Sequence, residues 1–457
     1  MKRILAFSFL LLIAVFSLAP AEVPASAPAE VPGADQSPLA MTIEEAVNLA
    51  LENNYSYRIS QEEVKQYRSR VWQNLGFLPT LSVSGYKNLK EKLQTFEFPS
   101  MVPGEPGQKI TIDFTKNYEF TFQLVQPVFT GGKIAHAFRN AQLDLELAKE
   151  RERNARADTV LQVKRSFYGI LVLRELLQAQ QEAQQLAENN LATVRVRYDQ
   201  GMASQYDLLR AELAVSLIKP ELLKVENQLR LSILGLKNML LIPENREIEI
   251  KGELGLTNFS SQLDSLVQSS LNLRSEIKQL RLEQKKTNNL LKMTFAQFLP
   301  DFSIVASTSY RSDLFKFTHK NWENYYTINL AVSFPIFTGM KRSAQVGEMY
   351  VLRRILDLNL KQLKEGTRLE VESKLFTIQQ EYESIQMGMK NMESAREGVR
   401  IAELSYQEGM ITILELNSSY NELTRAKVAY LQALYNHNIA IAELEKITGI
   451  NLNGGIS

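Results

Sequence analysis

Hydrophobic and polar residues alternate one by one in four segments of the chain, which are 80–89, 114–126, 302–311 and 326–334. The alternation is clearest in the second segment, whose apolar face consists of Phe114, Tyr118, Phe120, Phe122 and Leu124. A period of two predicts β-strands. Each segment has about ten residues, the length that a tilted strand needs to cross a lipid bilayer.

Two interpretations of these strands remain open, because the half-buried sheet of a soluble protein shows the same alternation. Tyrosine and tryptophan are concentrated near the segment ends, at Tyr86, Tyr310, Trp322, Tyr325 and Tyr326. Such positions are typical of the aromatic girdle that a membrane protein places at the bilayer surface. The aromatic residues and the segment lengths together favour a membrane-spanning sheet.

A second pattern, with apolar residues alternately four and three positions apart, predicts very long helices. It is clearest at Val371, Leu375, Ile378, Tyr382, Ile385, Met389 and Met392. A sustained seven-residue period is typical of left-handed coiled coils. No proline lies between Pro127 and Pro220 or after Pro335, so unbroken helices are predicted for 133–198 and 341–406. At 1.5 Å per residue, each would be about 100 Å long.

Each long helix is predicted to end at a glycine turn, Gly201 or Gly409, after which a second helix returns. The returning helices are predicted at 204–241 and 413–447. Pro220 lies inside the first of them and is expected to bend it, because proline lacks the backbone donor that a helix interior uses. The two hairpins are therefore expected to differ in bend.

The whole order of patterns occurs twice along the chain. Phe129-Thr130-Gly131-Gly132 returns as Phe337-Thr338-Gly339-Met340, an offset of 208 (337 minus 129). A shorter helix is predicted before each strand pair, at 43–74 and 262–297, and the loop within the first strand pair is the longer one. Such a repeat predicts two similar units that pack against each other or against further copies.

The N-terminus is predicted to be a signal peptide, because Lys2-Arg3 precedes an apolar run and Ala19-Pro20-Ala21 fits a cleavage site. No later apolar stretch approaches the ~20 residues of a membrane-spanning helix. If the exported protein lies in a membrane, its strands must cross it. The predicted domains are a signal peptide (1–21), an Ala/Pro-rich tether (22–40), a first repeat (41–243), a linker (244–261), a second repeat (262–450) and a tail (451–457).

Composition removes several functional classes. The net charge is +1 over 457 residues, so no basic surface for nucleic acid is expected. There is no cysteine, which excludes disulfides and a lipid-anchored cysteine. His136, His319 and His437 have no metal-ligand spacing, and adjacent carboxylates such as Glu44-Glu45 do not face each other on a helix. Neither an enzymatic activity nor a metal or cofactor is expected.

Four strands cannot span a bilayer alone, since open edges would leave backbone groups unpaired in hydrocarbon at several kcal/mol each. The smallest closed barrels have about eight strands. A barrel shared between chains is therefore required, and three copies would supply twelve strands whose polar faces turn towards a lumen.

In this order, and twice over, the motifs resemble those of the TolC-like outer-membrane efflux proteins across about residues 41–450. The motifs are Thr42-Ile43-Glu44-Glu45-Ala46-Val47, the Leu-Pro pairs at 78–79 and 299–300, Pro127 to Gly132, and Tyr198 with Gly201 and Asp207-Leu208-Leu209. The family usually has proline where Tyr55 stands. The resemblance implies an α+β membrane protein, a homotrimer whose twelve-stranded β-barrel in the outer membrane continues as a twelve-helix coiled-coil tunnel in the periplasm.

The resemblance also implies an exit duct for drugs, toxins or proteins. Its partners would be a periplasmic adaptor and an inner-membrane transporter of the RND, ABC or MFS type. An efflux duct and a type I protein-secretion duct remain alternatives, because the pump chooses the cargo. A periplasmic coiled-coil scaffold with soluble sheet pieces is a third alternative, and it would need no apolar strand faces of membrane length.

Gates of this family use acidic residues and a linking arginine just after the turn glycines. Asp207 and Glu415, each six residues after its glycine, match acidic gate positions. Ser418 stands where the family member best known for its gate has a second aspartate. Ile411 stands at the position of the linking arginine, so the salt-bridge latch is not expected. Rings of Asp207 and Glu415 would favour cations; alternatively, both are solvated carboxylates at positive helix N-termini.

The resemblance further implies that the adaptor docks at the turns Gln200-Gly201-Met202 and Glu408-Gly409-Met410. Exposed methionines suit adaptable contacts. Alternatively, the glycines only cap their helices in the left-handed conformation. The two roles are compatible.

Overall fold

The computed structural model describes residues 39–87, 94–100, 108–112, 118–257, 259, 261–315, 322–450 and 452. Several predicted features lie outside the described residues, namely the signal peptide, the tether as far as residue 38, positions 88–89 of the first strand, positions 114–117 of the second strand, His319 and most of the tail.

The helices and strands follow the predicted order. The helices before residue 250 are α1 (Ile43–Asn53), α2 (Tyr55–Gln73), α3 (Lys133–Asp199) and α4 (Gln205–Leu240). Those after it are α5 (Leu263–Leu273), α6 (Ser275–Ala296), α7 (Lys341–Gln407) and α8 (Ile413–Thr448). The strands are β1 (Leu39–Met41), β2 (Thr80–Lys87), β3 (Gln94–Phe98), β4 (Gln108–Ile112), β5 (Tyr118–Phe129), β6 (Ile248–Ile250), β7 (Asp301–Ser312) and β8 (Glu323–Ser333).

Two long helical hairpins are the largest elements of the described structure. Helices α3 and α7 have 67 residues each, and the returning helices α4 and α8 have 36 each. Each long helix packs against its own returning helix, and α3 also packs against α8, which joins the two halves of the chain. Helix α4 continues through Pro220, and the bend expected there stays a prediction. In the described part of the chain, no helix combines the length and the apolar character needed to cross a membrane.

Only part of the heptad pattern on α7 is buried. Val371, Ile378 and Ile385, which are seven residues apart, lie in the core. Tyr382 and Met389, each four residues after one of these buried positions, are exposed, although the ring of Tyr382 still lies 6.4 Å from that of His437. Within a single chain, Tyr382 and Met389 therefore lie at the edge of the contact between α7 and α8.

The two shorter helices predicted at 43–74 and 262–297 are each broken into a pair, so their prediction as single helices was wrong. The first break is at Asn54, whose side-chain oxygen accepts from the amides of Ser56 at 3.0 Å and Tyr57 at 3.3 Å. Asparagine favours helix starts because its side chain competes with the helical backbone. The second break is at Arg274, whose guanidinium donates to Glu370 at 2.6 Å on α7.

The four long strands form one antiparallel sheet in the order β2-β5-β7-β8. Within the described residues of one chain, the outer edges of β2 and β8 have no strand partner. The connection between β2 and β5, predicted only as a loop, contains a separate β3–β4 hairpin. Within the predicted linker, β6 pairs in parallel with β1. Strands β5 and β8 come directly before α3 and α7 in the chain, and the hairpin turns come directly after these two helices. The sheet and the tips of the helical hairpins therefore lie at opposite ends of α3 and α7.

Candidate functional site

The two faces of the sheet differ in polarity. The register of the strands places on one face the exposed apolar side chains of Leu81, Val83, Phe122, Ile328, Leu330 and Val332. It places on the other face Ser82, Ser84, Thr121, Gln123, Ser307, Ser309 and Thr327. A continuous apolar surface of this kind is stable in contact with lipid, whereas a face of hydroxyls and amides suits water. The sheet therefore has one apolar face and one polar face.

The polar face ends in a charged cluster at the end of the sheet away from the helices. The carboxylate of Glu119 on β5 accepts hydrogen bonds from Tyr86 on β2, from Arg311 Nε on β7 at 2.8 Å and from the Tyr325 hydroxyl on β8 at 3.3 Å. Arg311 also donates to the Tyr325 hydroxyl at 2.9 Å. One side chain from each of the four strands meets here, and the sequence patterns did not single out Glu119 or Arg311.

The aromatic residues predicted as a girdle are divided between the two faces of the sheet. Tyr310 and Tyr326 lie on the apolar face, and the ring of Trp322 lies 5.6 Å from that of Phe120 on the same side. Tyr86 and Tyr325 instead lie on the polar face and bond to the Glu119 carboxylate. Because neighbouring residues of a strand point to opposite faces, Tyr325 and Tyr326 cannot both belong to one girdle.

The opposite end of the molecule consists of the two hairpin tips. Gly201 and Gly409 both have φ of +73°, which favours glycine. Each turn is closed by a backbone bond from the following methionine, at 2.8 Å from Met202 to Arg197 and at 2.8 Å from Met410 to Ser405. Met202 and Met410 are 69% and 70% exposed. Gln200 and Glu408, which precede the glycines, are exposed as well.

Asp207 and Glu415 both form capping boxes at the starts of the returning helices. Asp207 accepts from the amide of Ser204 at 3.0 Å, and Glu415 accepts from the amide of Thr412 at 2.7 Å. The hydrogen bonds from the amide and the hydroxyl of Thr412 hold the pKa of Glu415 below its ordinary value. The structure thus gives both carboxylates the helix-start role that the sequence left as an alternative.

The remaining predicted gate positions carry no ionic link. Ser418 is exposed on α8, and Ile411 packs beside an apolar cluster that fills the space between the two tips. The buried members of this cluster are Val194, Ala211, Ala402, Ile413 and Leu416.

A link between the tips comes instead from Arg197 at the end of α3. Its guanidinium donates to the main-chain oxygens of Tyr406 at 3.3 Å and Gln407 at 2.8 Å, at the end of α7. It also lies 5.1 Å from the centroid of the Tyr406 ring. Burial raises the pKa of the Tyr406 hydroxyl and the charge of Asp207 adds to this, while Arg197 acts in the opposite direction. The sequence did not mark Arg197 as a link, because its acceptors are backbone atoms on a distant helix.

The profile of the outer membrane efflux protein family matches residues 46–240 and 266–450, which is most of the chain. The chain belongs to this family, and the resemblance drawn from the motifs is confirmed. It is a protein of the outer membrane whose helices extend into the periplasm.

Solved outer-membrane channels share the fold. CmeC of Campylobacter jejuni matches with a TM-score of 0.75 at 15% identity, over 91% of this chain and 87% of that chain. VceC of Vibrio cholerae matches with a TM-score of 0.73 at 16% identity, over 90% and 96%. CusC matches with a TM-score of 0.74 at 15% identity, over 90% and 92%. No match was found among curated protein sequences.

Proposed function

We propose that the chain forms, as a homotrimer, the exit duct of a tripartite export system. The observation that carries the proposal is the continuation of a two-sided sheet into helices of 67 residues. One end of such a body can contact lipid, and the other reaches about 100 Å away, which is far enough to meet a partner in the periplasm. The body conveys a substrate without changing it, so we propose no enzymatic activity.

A single chain leaves the outer edges of β2 and β8 without a strand partner within the described residues, and three copies would pair these edges. Pairing β8 of one chain with β2 of the next would remove the open sheet edges and close a twelve-stranded barrel with its polar face inside. Exposed apolar residues on two helices would be covered along the same seams, near the tips on α4 and near the sheet on α7. They are Leu209, Leu213 and Leu217 on α4, and Val351, Ile355 and Leu358 on α7.

The hairpin tips are the proposed closing point and the proposed adaptor site. In a trimer, six tips would converge and bring the copies of Asp207 and Glu415 into acidic rings. Arg197 would restrain the tips from separating, because it joins the first hairpin of each chain to the second. The exposed methionines at 202 and 410 would offer flexible apolar contacts to a periplasmic adaptor.

Reconstitution tests the proposal directly. Outer-membrane extracts should contain heat-resistant trimers, and the purified trimers should give discrete single-channel conductances in planar lipid bilayers. A protein that fractionates as a water-soluble periplasmic species and gives no conductance would instead support the scaffold alternative. Cross-linking in cells, followed by identification of the transporter, would distinguish a drug or metal efflux duct from a type I secretion duct.

A further inference from the structure

The charged cluster on the polar face of the sheet has no part in the tip gate. In the strand register, Glu119 lies opposite Arg311, and Arg311 lies opposite Glu323. One guanidinium therefore stands between two carboxylates on three neighbouring strands. The row lies at the end of the sheet away from α3 and α7, which is the outer mouth of the proposed duct.

The members of the row differ in how far they face the water side. The side chain of Glu119 is only 8% exposed, whereas that of Arg311 is 44% exposed. Arg311 is also held in a fixed position, with its guanidinium bonded to Glu119 and lying 4.9 Å from the centroid of the Tyr325 ring. Of the two bonded members of the row, Arg311 is thus the one whose charge is held towards a passing solute.

We propose that Arg311 is a specificity-determining residue of the outer mouth and that Glu119 is the residue that positions it. This inference rests on the proposed function, because it needs the polar face to line a pore. With Arg311 present, the row carries a net charge of −1 per chain, from one cation and two carboxylates. Without it the row would carry −2, and a trimer would present a strongly acidic ring. Arg311 therefore keeps the mouth permissive for anionic cargo, since rings of one sign exclude ions of the same sign.

The test is a charge cycle in planar bilayers, with reversal potentials measured across a KCl gradient. Arg311→Gln should raise the cation-to-anion permeability ratio, and Glu119→Gln should lower it, each by about twofold or more. The double variant restores the net charge of the row and should return close to the wild-type ratio. Lys87→Gln is the matched control, because Lys87 lies one row away on the opposite face of the sheet and should leave the ratio unchanged.

Two additions keep the test decisive. The chain has no cysteine, so Arg311→Cys provides a single thiol. A positively charged thiosulfonate on this thiol should restore the wild-type ratio, and a negatively charged one should move the ratio further towards cations. The same measurements in a background of Asp207→Asn and Glu415→Gln would remove any dominant effect of the tips.

Heat resistance of the trimers shows whether each variant is assembled. Assembled variants with the wild-type ratio in both backgrounds would overturn the inference, and a change in heat resistance alone would mean that the row only stabilises the sheet. A wild-type protein that forms no channel at all would overturn the proposed function, and the inference with it.

Discussion

The guanidinium of Arg197 donates a hydrogen bond of 2.8 Å to the main-chain oxygen of Gln407, and this bond joins the tip of one helical hairpin to the tip of the other. The last carbonyls of a helix have no partner within it and carry its negative dipole end. A cation is therefore favoured at this position, and the Tyr406 ring supports it from the side. The residue 208 positions after Arg197 is Ser405, so the link is made from the first hairpin only.

Replacing Arg197 by alanine should loosen the closed tips. Two charge-assisted hydrogen bonds at a partly exposed site are worth about 1–2 kcal/mol, which raises the open fraction about 5- to 30-fold. The expected result is a larger mean conductance in planar bilayers and greater sensitivity of cells to large polar antibiotics. Arg195→Ala is the control, since Arg195 is exposed two residues earlier on the same helix. Equal behaviour of the two variants would contradict the restraint.

The periodic patterns predicted the elements that repeat and missed the contacts that occur once. The period of two located the strands, and the absence of proline located helices that the structure extends by one residue, to Asp199 and Gln407. Burial along a strand or helix recurs at fixed spacing, so a sequence shows it. The capping roles of Asp207 and Glu415 were also accessible, because a helix start is a local feature.

Contacts between distant segments leave no such trace. Glu119 and Arg311 are polar residues at unremarkable strand positions, and only the register places them opposite each other. Arg197 binds backbone oxygens, which every residue has, so nothing in the sequence of α7 marks the acceptors. The break at Asn54 was missed for another reason: a side-chain cap there outweighed the helical propensity of the residues around it.

Neutralising the carboxylates at the starts of the returning helices should reduce cation selectivity. Asp207→Asn and Glu415→Gln each remove one charge per chain from the proposed acidic rings, and we expect lower cation-to-anion permeability ratios in bilayers. The pKa of Glu415 is held below its ordinary value of 4.5, so its charge should persist as the pH falls to that value and be lost below it. Unchanged selectivity in both variants would sink the ring hypothesis.

An acidic residue at an exposed tip methionine should disrupt adaptor docking without unfolding the protein. Met410 is 70% exposed, and Met410→Glu leaves the turn glycine and its backbone geometry intact. Efflux in cells should be lost while heat-resistant trimers and single-channel conductance remain. Gly409→Val is the comparison variant. It should disturb the turn itself, because φ of +73° strains a β-branched residue. Loss of trimers in Met410→Glu would show that the methionine is needed for assembly rather than for docking.

Two glycines in α7 should respond differently to alanine. A Cβ on Gly388 would lie 3.3 Å from both Cα and Cβ of Tyr430 on α8, whereas a Cβ on Gly366 would meet nothing within 4 Å. Gly366→Ala should stabilise the protein by up to about 1 kcal/mol through helix propensity. Gly388→Ala should lose that gain, because overpacking costs about 1–3 kcal/mol. Thermal unfolding followed by circular dichroism measures both, and equal melting temperatures would show that the helices do not approach closely at Gly388.

Glu443 should make the middle of the helical body sensitive to acid. Its carboxylate lies on α8 and pairs with Arg165 on α3 and Lys374 on α7, so that one side chain joins three helices. Burial acts to raise the pKa of Glu443, but the two cations outweigh it and the net shift is downward. A carboxyl group with a lowered pKa contributes stability above its unfolded value, and this contribution is lost as the pH falls through the folded value.

Glu443→Gln should therefore lower the free energy of unfolding at neutral pH by about 1–2 kcal/mol, a loss limited by solvent screening. It should also make the free energy of unfolding depend less on pH below pH 4.5. Melting temperatures of both proteins across the acid range measure this. Glu397→Gln is the control, since Glu397 pairs with Arg400 on an exposed face of α7 and surface pairs contribute little. If the Glu443→Gln protein melts like the wild type at neutral pH, the three helices are joined by apolar packing and not by this carboxylate.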